Sequence, residues 1–195
     1  MALLICITGP SGLRKSRLVE KAILQDGYNR IVAYTDRPKR DHEKHGEEYY
    51  FISADEFTES IDKGEFVEWQ NLISNGYRYG KKRDEIDKAL EEFKGQVLFS
   101  VINVVNLPVF KRHYPKSISI FLDITDIEFI KESVKATIKE TDNFDEEFEK
   151  RFDFIMEEKR RRHLADYYMR IAHDPLDSFD EFMDLIEKIR RSFQR

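Results

Sequence analysis

The chain has 195 residues, 41% hydrophobic and 13% aromatic, with 33 Lys and Arg against 38 Asp and Glu for a formal net charge of -5. That length suits one compact domain with small insertions, and the apolar and aromatic content excludes a disordered chain. A net acidic chain is no general nucleic-acid coat, and a mean hydropathy of -0.61 predicts a protein at home in water.

The opening run ALLICIT (2–8) is too short for a membrane span and lacks the basic flank and cleavage site of a signal peptide. It predicts a strand buried on both faces of a parallel sheet. It holds Cys6, the only cysteine, so neither an intramolecular disulfide nor a cysteine-built zinc site is available, and a reducing, cytoplasmic compartment is expected. A glycine loop precedes a helix over 17–26, where Leu18, Ala22 and Ile23 recur at helical spacing before Gly27. RIVAYT (30–35) predicts a second strand, and the polar stretch 36–48 a loop or substrate-facing segment.

EYYFIS (48–53) is strand-like, and Ser53 with Glu56 forms a capping box for a helix ending near Gly64. EFVEWQNL (65–72) and YRYG (77–80), joined by a turn at SNG, predict a hairpin, which makes 36–80 a small, partly antiparallel insertion. A helix over 82–93 stops at Gly95; VLFSVIN (97–103) and SISIFL (117–122) are strands with a helical segment between them. Residues 126–164 read as helix broken at 140–145, YYMRIA (167–172) as a last strand, and 178–191 as an amphipathic helix presenting Phe179, Phe182, Met183, Ile186 and Ile189. The fold class is therefore α/β: a five-stranded parallel sheet with helices on both faces, in one domain over 1–195.

The loop Gly9-Pro10-Ser11-Gly12-Leu13-Arg14-Lys15-Ser16 matches the phosphate-loop pattern G-x-x-x-x-G-K-S/T except at Arg14. In such a loop, backbone N–H groups at a helix start face a polyphosphate, the lysine carries charge to the outer phosphates, and the hydroxyl ligates Mg2+. Gly9, Ser11, Gly12, Leu13, Arg14, Lys15 and Ser16 are thus the candidate ATP site, with Ser16 the candidate metal ligand. Arg14 stands where glycine ordinarily permits a close backbone approach.

Thr35, Arg37, Arg40, Glu43, Gly46, Tyr49 and Phe51 then occupy the pattern T-x-R-x-x-R-x-x-E-x-x-G-x-x-Y-x-F without a gap. With the preceding loop, this block resembles the guanylate kinase family over nearly the whole chain. The resemblance implies a P-loop NTPase-type core (1–35, 81–125 and 165–195), a nucleoside-monophosphate-binding insertion (36–80) and a helical lid (126–164). It implies ATP and Mg2+ as cofactors and a nucleoside monophosphate, GMP first among them, as acceptor. Arg37, Arg40, Tyr49 and Tyr79 would cage the monophosphate and Glu68 would read the guanine edge. Lys15, Arg37, Lys135, Lys139 and Arg151 would neutralise charge on the transferring group, with Thr141 in the lid turn.

Several positions depart from the family. Ser100 and Ile102 stand at an Asp-x-Asp pair, Ala33 and Lys81 at two serines, and Lys135 and Lys139 at arginines. Two alternatives stay open beside the kinase: a catalytically weak binding or interaction module, and a related kinase acting on ribose bisphosphate. The histidines, His42 and His45 included, read as solvated or locally bonded, and the run 159–163 as a charged helix face rather than a nucleic-acid patch. Nucleotides are the expected partners, without nucleic acid or membrane, for a monomer or homodimer.

Overall fold

A computed structural model describes residues 2–10, 14–72, 76–138 and 143–193. The first half runs β1 (Leu3–Thr8), α1 (Lys15–Asp26), β2 (Asn29–Arg30), β3 (Ala33–Thr35), β4 (Tyr49–Phe51), α2 (Ala54–Asp62), β5 (Phe66–Asn71), β6 (Arg78–Lys82) and α3 (Arg83–Glu92). The second runs β7 (Val97–Val101), α4 (Leu107–His113), β8 (Ile118–Ile124), α5 (Ile127–Lys135), α6 (Phe144–Arg160), β9 (Tyr167–Ile171) and α7 (Phe179–Phe193).

Alternation along β1 builds two cores at once. All six residues are buried. Leu3, Ile5 and Ile7 pack with Leu18, Val19 and Ala22 of α1 and Phe179, Phe182, Ile186 and Ile189 of α7. Leu4 and Cys6 face the other way, onto Ile86 and Leu90 of α3 and Leu107 and Phe110 of α4. A strand covered on both faces has no polar side, which is why ALLICIT shows no alternation in sequence. The strands run β2-β7-β1-β8-β9, parallel throughout, so the expected α/β core with its five-stranded sheet is present.

A second, four-stranded mixed sheet runs β4-β3-β6-β5. Here RIVAYT departs from expectation, because it is not one strand. Arg30 pairs with Phe99 in the parallel sheet, whereas Ala33, Tyr34 and Thr35 pair with Tyr49, Tyr50 and Phe51 in the mixed one. Ile31 is buried in the core beneath α3 and α4, while Tyr34 stacks on Tyr50 at 4.6 Å, so each half of the run is held by a different partner. The capping box forms as expected: Ser53 accepts from the Glu56 N–H, and the Glu56 carboxylate accepts from the Ser53 N–H. At Gly80 a side chain would collide with Phe66 and Trp69, the added carbon lying 2.8 Å from Phe66 Cδ1, so glycine lets β5 and β6 close.

Candidate functional site

Open parallel sheets place ligands at the carboxyl ends of their strands. Here β1 runs out into Gly9, whose φ of 139° is a glycine conformation and where a Cβ would stand 2.6 Å from the Leu122 carbonyl oxygen. Ser11, Gly12 and Leu13 lie outside the described residues. Arg14 precedes α1 with φ 58°, the only positive φ outside glycine among the described residues, so the departure from the loop pattern is carried as left-handed backbone. Its guanidinium points to Asp174, Nη1 to Oδ2 2.5 Å, on the loop after β9. Lys15 turns its ammonium onto the Pro10 carbonyl at 2.6 Å. Burial holds its pKa below the usual lysine value, outweighing the smaller upward pull of the negative charge on Glu158. Ser16 is exposed on the cleft wall one residue further on.

The polar stretch after β3 is tightly bonded. Thr35 Oγ1 donates to the Arg78 carbonyl and accepts from the Arg37 N–H, which fixes the entry to the turn. Arg37 is buried, and both ends of its fork donate to Glu43. Glu43 also accepts from the Arg40 N–H at 2.8 Å. The Arg37 hydrogen bonds, with that Arg40 amide, hold the Glu43 pKa down at about 2. The Arg37 guanidinium carbon lies 5.7 Å from the Tyr49 ring centre, and Tyr49 meets Tyr79 edge-on at 5.5 Å. Arg37 is therefore locked by Glu43 at the back of the tyrosine pair, while Arg40 extends from the loop as an exposed side chain.

Across the cleft, β5 and β6 bring Glu68 opposite Lys81. Both are buried, and Lys81 Nζ donates to Glu68 Oε1 at 2.9 Å and to the Val101 carbonyl at 2.7 Å. Glu68 Oε2 accepts from Asn106 Nδ2 at 2.8 Å. Ala33 and Ile102 line the same cavity, whereas Ser100 is fully buried with no hydrogen-bond partner for its hydroxyl among the described residues.

From α6, Arg151 reaches the cavity, with Nε on Glu147 Oε1 at 2.6 Å and Nη1 on Thr137 Oγ1 at 3.0 Å. Lys135 does not join it; its ammonium pairs with Glu132 on the outer side of α5. Lys139 and Thr141 lie outside the described residues. Sequence reasoning missed Asn103 and Glu158, both buried and joined by a 2.7 Å hydrogen bond, with Asn103 lining the same cavity as Lys15 and Glu158 acting on the Lys15 charge. Glu158 falls three residues after the buried Ile155 of α6, and an acid on a helix's apolar face was the available signal.

These elements surround one cavity of about 440 Å³, with Lys15, Tyr49, Glu68, Tyr79 and Arg151 on its walls. Among the described residues no group of three or more His, Cys, Asp or Glu is placed to hold a metal ion, and no helix is long and apolar enough to cross a membrane. The guanylate kinase family model matches residues 1–188. The guanylate kinase of Helicobacter pylori (strain ATCC 700392 / 26695) is 32% identical over 188 residues, spanning 95% of this chain and 86% of its own. That of Porphyromonas gingivalis (strain ATCC BAA-308 / W83) is 31% identical over 195 residues, spanning 98% and 96%. The crystal structure of guanylate kinase from Anaplasma phagocytophilum shares the fold, with a TM-score of 0.68 at 22% identity over 99% of this chain and 86% of that one.

Proposed function

This chain belongs to the guanylate kinase family of phosphotransferases, and on that premise we propose that its cleft transfers the γ-phosphoryl group of ATP to the phosphate of GMP. The observation that carries the proposal is convergence: the Lys15 loop, the Tyr49–Tyr79 pair and Arg151 line one cavity from three separate parts of the chain. Phosphoryl transfer asks little acid-base chemistry of a protein; it needs two phosphates held in line and their charge neutralised.

In this reading Lys15 leaves the Pro10 carbonyl for the outer phosphates of ATP, and the amides opening α1 bind the phosphate oxygens. Arg40, with the Tyr49 and Tyr79 hydroxyls, holds the acceptor phosphate, and Arg37, its charge matched by Glu43, fixes the loop behind them. Arg151 reaches in from the lid, where it can exchange Thr137 for the transferring group. Ser16 is one hydroxyl rather than an acidic cage. That donor set fits Mg2+, which is bound largely through substrate phosphates and keeps its waters. When bound, Mg2+ supplies charge neutralisation on the ATP phosphates. The test is an ATP-consumption assay across the common nucleoside monophosphates and ribose bisphosphate. ADP release that depends on GMP supports the proposal; dependence on ribose bisphosphate alone, or on no acceptor, overturns it.

A further inference from the structure

Arg14 combines three features that a solvated loop residue does not. It lines the cavity beside Lys15 and Ser16, its backbone is left-handed at φ 58°, and its guanidinium reaches Asp174, 160 positions away, at 2.5 Å. The left-handed turn is the backbone path that glycine takes easily, so the arginine adds a charge to the loop without changing its course. That charge sits at the start of α1, the positive end of the helix, where it needs an anion close by. Asp174 supplies the anion. Its Oδ1 accepts from the Leu176 N–H at 3.0 Å, and the adjoining His173 Nδ1 lies 2.7 Å from Asp126 Oδ2 at the start of α5, so the carboxylate is fixed from its own side with Oδ2 turned to Arg14. The Arg14 side chain is 49% exposed, and an exposed arginine–carboxylate pair is weak. Lys15 rests in the same way on the Pro10 carbonyl. Both cations of the loop are thus occupied by acceptors of the chain itself, and a polyphosphate is the stronger acceptor for each.

We propose that Arg14 is a further phosphate-binding residue of the ATP site and that Asp174 is a built-in competitor for it: the carboxylate holds the guanidinium in the chain without nucleotide, and an ATP phosphate takes its place. This rests on the proposed kinase activity and adds a cation on the ATP side together with the contact that restrains it. Arginine forks onto a phosphate as it forks onto a carboxylate, so the exchange needs a swing of one side chain and no change in the loop backbone. Asp174 acts through Arg14 and is a positioning residue. The two residues therefore have opposite effects. Removing the arginine removes a bond made to ATP, whereas removing the carboxylate charge removes a bond that must break before ATP is held.

The test is calorimetric titration of ATP with Mg2+ into the full chain, without acceptor, in the wild type, Arg14→Asn, Asp174→Asn and the double variant. Asparagine tolerates the left-handed backbone at position 14, and at 174 it keeps the side-chain oxygen that the Leu176 amide needs, so each substitution removes charge and leaves the local turn. Asp174→Asn should tighten ATP binding by about threefold, the scale of a half-exposed ion pair. Arg14→Asn should weaken it by about fivefold or more, the scale of a charge-assisted bond to phosphate that is partly open to water. With Arg14 already replaced, Asp174→Asn should bring little further gain, and the affinity for GMP should stay level in all three variants. Equal weakening by both single variants would make the pair a brace that persists in the complex, and it overturns the proposal. So does a gain from Asp174→Asn that is the same with or without Arg14, and so does an ATP affinity unchanged throughout. If Asp174→Asn does not fold, Arg14→Lys serves in its place: keeping the charge must restore most of the ATP affinity that Arg14→Asn loses, and failure to restore it overturns the assignment. A wild-type chain that binds no ATP overturns this proposal and the kinase reading together. The expected shifts in a chain without GMP-dependent turnover leave Arg14 assigned and overturn the kinase reading alone.

Discussion

Arg37 and Glu43, six residues apart in one turn, form a buried two-bond ion pair, Nη2 to Oε1 at 2.6 Å and Nη1 to Oε2 at 3.0 Å. The pair converts a polar stretch, which buries little apolar surface, into a rigid one. Glu43 holds Arg37 by its fork and Arg40 by its amide, so on the proposed function this acid pre-organises the loop that would hold the acceptor phosphate.

Glu43→Gln should therefore raise the KM for GMP by about 10-fold or more and lower stability at neutral pH. Hydrogen bonding from Arg37 drops the Glu43 pKa from 4.5 to about 2. A depressed carboxyl contributes stability that is present above about pH 4.5 and lost as pH falls through about 2. Urea midpoints should consequently differ most between wild type and Glu43→Gln at pH 7 and converge toward pH 2. A constant difference across that range contradicts the role assigned to the pair.

Arg14 yields a prediction opposite in sign to that for most surface substitutions. Its φ of 58° costs a side-chain-bearing residue about 1–2 kcal/mol, and its half-exposed ion pair with Asp174 returns at most about 1 kcal/mol. Arg14→Gly should leave stability unchanged or raise it by up to about 1 kcal/mol in urea unfolding. A clear loss of stability shows that the Asp174 contact outweighs the backbone strain.

Lys15→Met should reduce kcat by about 100-fold or more, the scale for removing one charged group from a transferring oxyanion. GMP affinity, measured by calorimetry without ATP, should change less than about threefold, because the proposed function gives Lys15 to ATP and not to the acceptor. Equal losses in both measurements would place Lys15 in general folding instead.

Cys6 lies at the centre of the sheet, and burial pushes its thiol up to about 12, against the smaller downward pull of Lys81. Ellman's reagent should leave the native thiol essentially unlabelled at pH 8, with labelling appearing along the urea unfolding curve. Rapid stoichiometric labelling in native buffer would mean that the sheet opens without unfolding.

The parallel core was legible because ALLICIT is a continuous apolar run, and VLFSVIN and SISIFL are largely apolar with only small polar residues between, as in strands covered on both sides. RIVAYT was not, since an apolar run does not say which sheet takes which residue, and its partners Phe99 and Tyr49 are far away in sequence. In the candidate site the residue types were readable from spacing, but their pairings were not. Spacing alone does not say that Arg37 turns its fork onto Glu43 or that Lys135 pairs outward with Glu132, because a nearby acid competes locally with a ligand for each cation. Asn103 meets Glu158 across 55 positions, and that contact depends on how distant elements dock.

The most direct measurement is ADP release by the full chain supplied with ATP, Mg2+ and GMP, against controls lacking each nucleotide. GMP-dependent turnover on the scale of about 1–100 per second, typical of kinases, is the expected result. An ADP signal that does not change when GMP is added, on a folded chain that retains ATP, contradicts the assignment of this cleft as a GMP kinase site.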